Sequence, residues 1–176
     1  MAQAYQRLQR PDRAVILLRL LVQEVPDDPE IWTVLGVALN DLGRTSDGTD
    51  ALRRALALDP GAADARNELG NIYIESGRFE DGAREFRLAL ERKPTLTGAI
   101  WNLTRTRRYT SADRQEIDTF AEALVNADLA PRKRADVQFS LGKVCEDCED
   151  YPEAIVHYEK ANALLAEECG FDAASR

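Results

Sequence analysis

The sequence predicts an all-α protein, a right-handed superhelical solenoid of antiparallel helix pairs, and three observations carry that prediction. Pro26, Pro60 and Pro94 recur at a fixed interval of 34 residues. Between them, apolar residues fall at helical spacing on both sides of a Gly-Arg pair, Gly43-Arg44 and then Gly77-Arg78, the pattern of two amphipathic helices joined by a tight turn. The two stretches also match residue by residue: Leu35-Gly36 falls on Leu69-Gly70, Leu39 on Tyr73, Gly48 on Gly82, Leu52 on Phe86, and Ala55-Leu56 on Ala89-Leu90.

Each copy is one helical hairpin. The frame predicts a single domain over 1–176, made of a partial repeat 1–28, repeats 29–62 and 63–96, a degenerate repeat 97–134, a repeat 135–168 and a tail 169–176. In the partial repeat, Ala2 and Tyr5 belong to a first helix, and Ala14, Leu18 and Leu21 to a second, so the chain is expected to begin inside a repeat. Repeats 29–62 and 63–96 differ chiefly where Arg66 replaces Trp32. In 97–134, Ile100, Trp101 and Leu103 begin a first helix, but Arg107 replaces the expected aromatic residue. The span is 38 residues rather than 34, which calls for a longer connection around Thr110 to Asp113. Leu141-Gly142, Tyr151, Ala154, Tyr158 and Ala161 restore the pattern in the last copy.

The Trp/Leu-Gly/Tyr/Ala/Phe/Pro pattern at this period resembles the tetratricopeptide repeat. That resemblance implies stacked hairpins whose first helices line a concave binding face. The residues on that face, four and three apart on their helices, are Thr33, Val37 and Asn40; Asn67, Asn71 and Ile74; Trp101, Arg105 and Arg108; and Phe139, Lys143 and Glu146. Asn67 and Asn71 offer amides suited to an extended peptide backbone, Arg105, Arg108 and Lys143 offer cations for carboxylates, and Trp101 offers an aromatic anchor. Ordinary readings stand beside these: Trp101 as core, the asparagines as solvated polar residues, and the arginines as charged surface. The family's carboxylate-clamp type needs a Lys/Asn set in the first inner helix. Thr33 and Val37 occupy those places here, which argues against that activity.

The stretch Tyr109-Thr110-Ser111-Ala112-Asp113, then Asp128-Leu129-Ala130-Pro131, Phe139 to Lys143, Tyr151, Glu153-Ala154, Tyr158 and Ala161-Asn162, over roughly 97–174, resembles the segment that precedes the catalytic domain of bacterial tetratricopeptide-repeat sulfotransferases. The phosphosulfate loop of that group is not in this sequence. What the resemblance implies is a non-catalytic arm of a larger enzyme.

Composition and charge narrow the function. With 44% apolar residues the chain is able to bury an interface between hairpins, although no apolar run approaches the ~20 residues of a membrane span. Arg19 breaks the most apolar segment, Ala14 to Val22, and no basic start precedes an apolar core, so no signal peptide is expected. Three cysteines do not make a disulfide framework, and a cytoplasmic location is the expectation. The net charge of −8 disfavours nucleic acid and anionic membranes as partners. Residues 97–134 run against this trend, with seven basic side chains to five acidic, an island suited to an acidic peptide.

Chemistry is sparse. Cys145 and Cys148 stand three apart on a helix, but zinc needs four ligands and only His157 and Cys169 remain; Cys145 also takes the place of Tyr73, a core position. A single histidine and the lack of any phosphate loop or nucleophile elbow leave no catalytic grouping. The expectation is a cofactor-free, non-enzymatic scaffold that binds a protein or peptide. Self-association through an uncovered solenoid end is a further expectation.

Overall fold

Nine α-helices and one short 3₁₀ turn make up the described residues, 11–125 and 128–168, of the computed structural model, and no strand occurs among them. The expected first-helix residues Ala2 and Tyr5, and the tail with Cys169, lie outside the described residues. Contacts group the chain into two units, Met1–Arg92 and Lys93–Arg176.

In the first unit, α1 (Pro11–Glu24), α2 (Pro29–Asp41), α3 (Thr45–Leu58), α4 (Ala63–Glu75) and α5 (Phe79–Arg92) pack each against the next, and α2 also meets α4. Local chemistry sets the starts. The Asp28 carboxylate accepts from the Glu30 and Ile31 amides at 2.8 and 3.4 Å, and Pro29 occupies the first turn, where its missing N–H costs nothing. The 34-residue frame is visible in individual bonds: Trp32 Nε1 donates to the Pro26 carbonyl at 2.7 Å, and one period later Arg66 Nη2 donates to the Pro60 carbonyl at 3.0 Å. The Arg66 that departs from the pattern therefore keeps the donor role of Trp32. Its other amine pairs with Glu85 at 3.0 Å, tying α4 to α5.

The core alternates along the stack. Ala14, Val15 and Leu18 of α1 pack with Leu35, Ala38 and Leu39 of α2 and Ala51 of α3, and Leu52 and Ala55 pack with Ala65, Leu69, Ile72 and Tyr73 of α4. Trp32 touches both groups. A Cβ on Gly36 would lie 2.6 Å from Leu52 Cγ, and one on Gly70 would lie 2.6 Å from Phe86 Cε1. The glycine of each first helix is thus the notch that receives the large side chain of the second.

In the second unit, α6 (Thr97–Leu103) is short, a 3₁₀ turn follows at Ser111–Asp113, and α7 (Arg114–Val125), α8 (Pro131–Asp147) and α9 (Tyr151–Glu168) complete it. Helix α8 is the hub, packed by α6, α7 and α9. Hydroxyls end α6 early: Thr104 and Thr106 donate to the carbonyls of Trp101 and Leu103 at 3.0 and 2.8 Å, offering the backbone an alternative to further helix. The chain then drives Tyr109 into the core, fully buried and edge-to-face with Phe120 at 6.1 Å. The aromatic side chain that Arg107 displaces from the pattern is therefore supplied two residues later. The notch recurs as well, since a Cβ on Gly142 would lie 2.5 Å from Tyr158 Cε1.

The same turn closes three hairpins. Gly43, Gly77 and Glu149 all have left-handed φ, at 73°, 75° and 65°, and the amide of the next residue reaches a carbonyl five residues back: Arg44 to Leu39, Arg78 to Tyr73 and Asp150 to Cys145, at 2.9, 2.8 and 2.9 Å. Among the described residues only Glu149 occupies the left-handed region with a side chain, a conformation that costs about 1–2 kcal/mol in a residue with a Cβ. Allowing for the entropy glycine loses on folding, E149G should stabilise the protein by about 0.5–1 kcal/mol in urea unfolding; an unchanged or lower midpoint would refute strain at this turn. For the notch, G70A should cost about 1–3 kcal/mol, and F86L in the same chain should recover part of it. Additive losses in the double variant would show that the glycine and the ring do not share one space.

Candidate partner-binding site

On α4, Asn67 was expected to face solvent, and the structure corrects this: it is only 8% exposed. Its Nδ2 donates to Glu68 Oε1, and Asn71 Nδ2 donates to Glu68 Oε2, both at 3.1 Å. Two amides thus bracket one carboxylate, which draws the asparagine side chains onto the helix surface. From α2, Asn40 Nδ2 reaches Glu75 Oε2 at 3.1 Å. Burial pushes the Glu68 carboxyl above its ordinary range; the bonds from Asn71 and Asn67 oppose the shift, while Asp64 and Asp41 add to it. Two oxygens of the group, Asn40 Oδ1 and Asn67 Oδ1, are buried without a hydrogen-bond partner.

The remaining four predicted residues lie in the second unit. Trp101 on α6 is half-buried and stands edge-to-face with Phe139 of α8, centroids 6.4 Å apart at 79°, and Phe139 in turn touches Tyr158 of α9 at 6.3 Å. The Arg105 guanidinium lies over the Trp101 ring, 4.7 Å from its centroid. Arg105 and Arg108 are both exposed, and neither makes an ion pair among the described residues. Trp101 packs on Phe139 of α8 and also carries Arg105, both contacts within the chain. Tyr158 Oη donates to Glu146 at 2.9 Å; burial first, then that bond, push its hydroxyl up to about 12.

Lys143 is engaged within the chain. Its Nζ donates to the Arg107 carbonyl at 3.0 Å and pairs with Asp147, whose Oδ2 also accepts from the Tyr109 amide at 3.0 Å. Arg107, which replaces the aromatic residue of the repeat, covers the Tyr109 ring at 4.2 Å and pairs with Asp113 and Glu116, each at 2.8 Å. These contacts fix the loop that holds Arg105 and Arg108. The sequence signal for them was present in Arg107 and Asp113, but only the fold brings Asp147 to Tyr109.

Cys145 of α8 and Cys148 at its C-terminal cap are half-buried, and burial, followed by nearby carboxylates, pushes both thiols above their ordinary range. His157 Nδ1 lies 2.6 Å from Gln138 Oε1, a structural bond between α9 and α8. Among the described residues, no three His, Cys, Asp or Glu side chains gather to hold a metal, and no helix is long and apolar enough to cross a membrane.

Two family profiles, both described as tetratricopeptide repeat, match residues 1–38 and 41–96. Protein FlbA of Caulobacter vibrioides is 30% identical over 136 residues, covering 72% of this chain and 22% of its own length. The chain spans between 12% and 22% of the curated relatives it matches. Among solved structures it is similar to MamA, with a TM-score of 0.67 at 16% identity over 97% of both chains. PilF of Pseudomonas aeruginosa gives a TM-score of 0.69 at 17% identity, over 97% of this chain and 82% of that one.

The Arg107 pair sets a pH dependence. Arg107 first, and then the Thr110 amide, hold Asp113 well below the usual carboxylate range. Because the folded-state pKa is depressed, this contribution is complete above the ordinary carboxylate range and is lost as pH falls through the folded value. The stability gap between wild type and R107Q should therefore be widest near neutrality and shrink in strong acid, as read from urea midpoints at stepped pH. A gap independent of pH would assign Arg107 a packing role alone.

Proposed function

We propose, given that this chain is built of tetratricopeptide repeats, that it is a non-catalytic interaction scaffold whose second unit receives an acidic protein segment. The observation that carries this reading is the exposed guanidinium of Arg105 stacked on Trp101, with Arg108 three residues further on. A cation held over an indole keeps its N–H donors directed at solvent while losing little freedom on capturing a carboxylate. Trp101 and Phe139 add an apolar shelf beside the charge, the pairing of aromatic and arginine that dominates many interfaces. Lys143 supports this face from behind by anchoring the Arg107 carbonyl. Asn67 and Asn71 belong to the first unit, and their amide nitrogens are already given to Glu68.

A second reading follows from the resemblance over 97–174: an accessory arm of a sulfotransferase-type enzyme, which demands a phosphosulfate-binding loop encoded beyond Arg176. Self-association is a separate demand, supported by Ile16, Leu17 and Leu20, which leave an exposed apolar stripe on α1.

The test of the scaffold reading uses synthetic peptides of one length with graded numbers of Asp and Glu. Binding is followed by fluorescence of Trp101 in the W32F variant, with light scattering on the same samples to report self-association. Affinity should rise with carboxylate count and weaken with salt, and R105E/R108E should reduce it by about tenfold or more at an unchanged melting temperature. Equal affinity for acidic and neutral peptides, or no effect of the charge reversal, would sink the reading.

A further inference from the structure

Two thiols at the end of α8 have no part in the binding face. Cys145 stands at the register where α4 buries Tyr73, yet it stays half-buried, and Cys148 follows it at the helix C-cap. Three residues apart on a helix, their Cα atoms lie about 5 Å from one another, inside the span that a disulfide accepts, while their Cβ atoms, roughly 5–6 Å apart, must close by about 1–2 Å. The last turn of α8 therefore decides whether the two sulfurs meet.

That turn is lightly held at its end. The Cys148 amide donates to the Val144 carbonyl at 3.1 Å, the Glu149 amide donates to the Glu146 carbonyl at 3.0 Å, and Glu149 itself carries the left-handed backbone that disfavours a side chain. A turn that ends on a strained residue gives way at lower cost. Glu146 and Asp147, the residues between the cysteines, each hold another element: Glu146 accepts from Tyr158 Oη of α9 at 2.9 Å, and Asp147 accepts from the Tyr109 amide at 3.0 Å besides pairing with Lys143. Drawing Cys145 and Cys148 together must turn both carboxylates relative to these partners.

The surroundings suit a disulfide better than a metal or a nucleophile. Burial first, then Asp150 and Glu153, raise Cys145 above the ordinary thiol range, and Cys148 is itself among the groups that raise it, which puts the two sulfurs within electrostatic reach. Burial, then Asp147, Asp113 and Asp150, raise Cys148. Thiols so disfavoured as thiolates are weak ligands and slow nucleophiles, but their reduced form gains no thiolate stabilisation over the disulfide.

We propose that Cys145 and Cys148 form a modification site, a dithiol that a peroxide oxidises to a disulfide within the last turn of α8, and that closing it withdraws Asp147 from the Tyr109 amide and loosens the loop carrying Arg105 and Arg108. With hydrogen peroxide, one thiol attacks an oxygen, the O–O bond breaks, and a sulfenic acid and water form; the second thiol then attacks that sulfur, and the S–S bond forms as the S–O bond breaks and a second water leaves. The two sulfurs give up two electrons, which the peroxide takes, and the two thiol protons leave in the waters. The effect on an acidic segment rests on the scaffold reading; the disulfide and its effect on Tyr109 do not.

The experiment treats the full chain carrying C169S with hydrogen peroxide and follows intact mass, peptide maps and backbone amide resonances. One Cys145–Cys148 disulfide should form, seen as the loss of two hydrogen atoms, reversed by dithiothreitol and absent from C145S and C148S. The Tyr109 amide resonance should shift and its hydrogen exchange should quicken by about tenfold or more, with helix content unchanged. Affinity for the acidic peptide should fall by about fivefold or more and return on reduction. Thiols left unreacted or carried to separate sulfinic acids overturn the proposal, as does a disulfide between two chains, or one to Cys169 in the wild-type chain. So does a Cys145–Cys148 disulfide that leaves Tyr109, or the affinity of a peptide that binds the reduced chain, unmoved. If no acidic peptide binds the reduced chain, the scaffold reading fails while mass and resonances still judge this proposal.

Discussion

The close approach of two helices at a glycine is the constraint on which the rest of this structure depends. Gly36, Gly70 and Gly142 each stand where a Cβ would collide with the large residue of the following helix, Leu52, Phe86 or Tyr158. Seating a bulky apolar side chain against bare backbone fixes the depth and rotation of one helix on the other, because densely packed interiors tolerate few alternative fits. Once the pair is fixed, the rest of the first helix is placed as well, including Asn40 beside Gly48, and Phe139 of α8 against Tyr158.

The second unit departs from this plan in a way that leaves Arg105 and Arg108 in solvent. Threonine hydroxyls stop α6 after seven residues, and the freed chain buries Tyr109 where the repeat lacks its aromatic. Cations then close over the ring, Arg107 from one element and Lys143 from another, each also held by carboxylates. The loop so anchored is the one that carries Arg105 and Arg108 in solvent. A defect in the repeat thus yields an exposed guanidinium stacked on an indole.

The two units also differ in how they use polar groups. In the first, asparagine nitrogens are spent on carboxylates, which leaves a face with surplus negative charge and surplus acceptors. In the second, carboxylates are spent on Arg107 and Lys143, and Arg105 keeps its donors outward. The bookkeeping of donors and acceptors, rather than net charge, separates the chemistry of the two faces.

The 34-residue period, the helix pairs, their turns and their apolar contacts were legible in the sequence, because packing repeats wherever Leu-Gly, the turn and the paired aromatic recur. Trp101 and Arg105 were expected on one helical stripe; the helix ends at Leu103, and the two meet instead by the guanidinium lying over the indole from the loop that follows. The states of Asn67 and Lys143 were not legible. Whether an amide faces water or a neighbouring carboxylate, and whether an ammonium is free or tied to a carbonyl 36 residues away, depends on angstrom-scale distances between elements that periodicity does not encode. The sequence by itself determined which helices form and which sides they bury, because those follow from local periods; only the tertiary structure decided which polar atoms remain unspent, because hydrogen bonds are short and directional and are settled after the helices have packed.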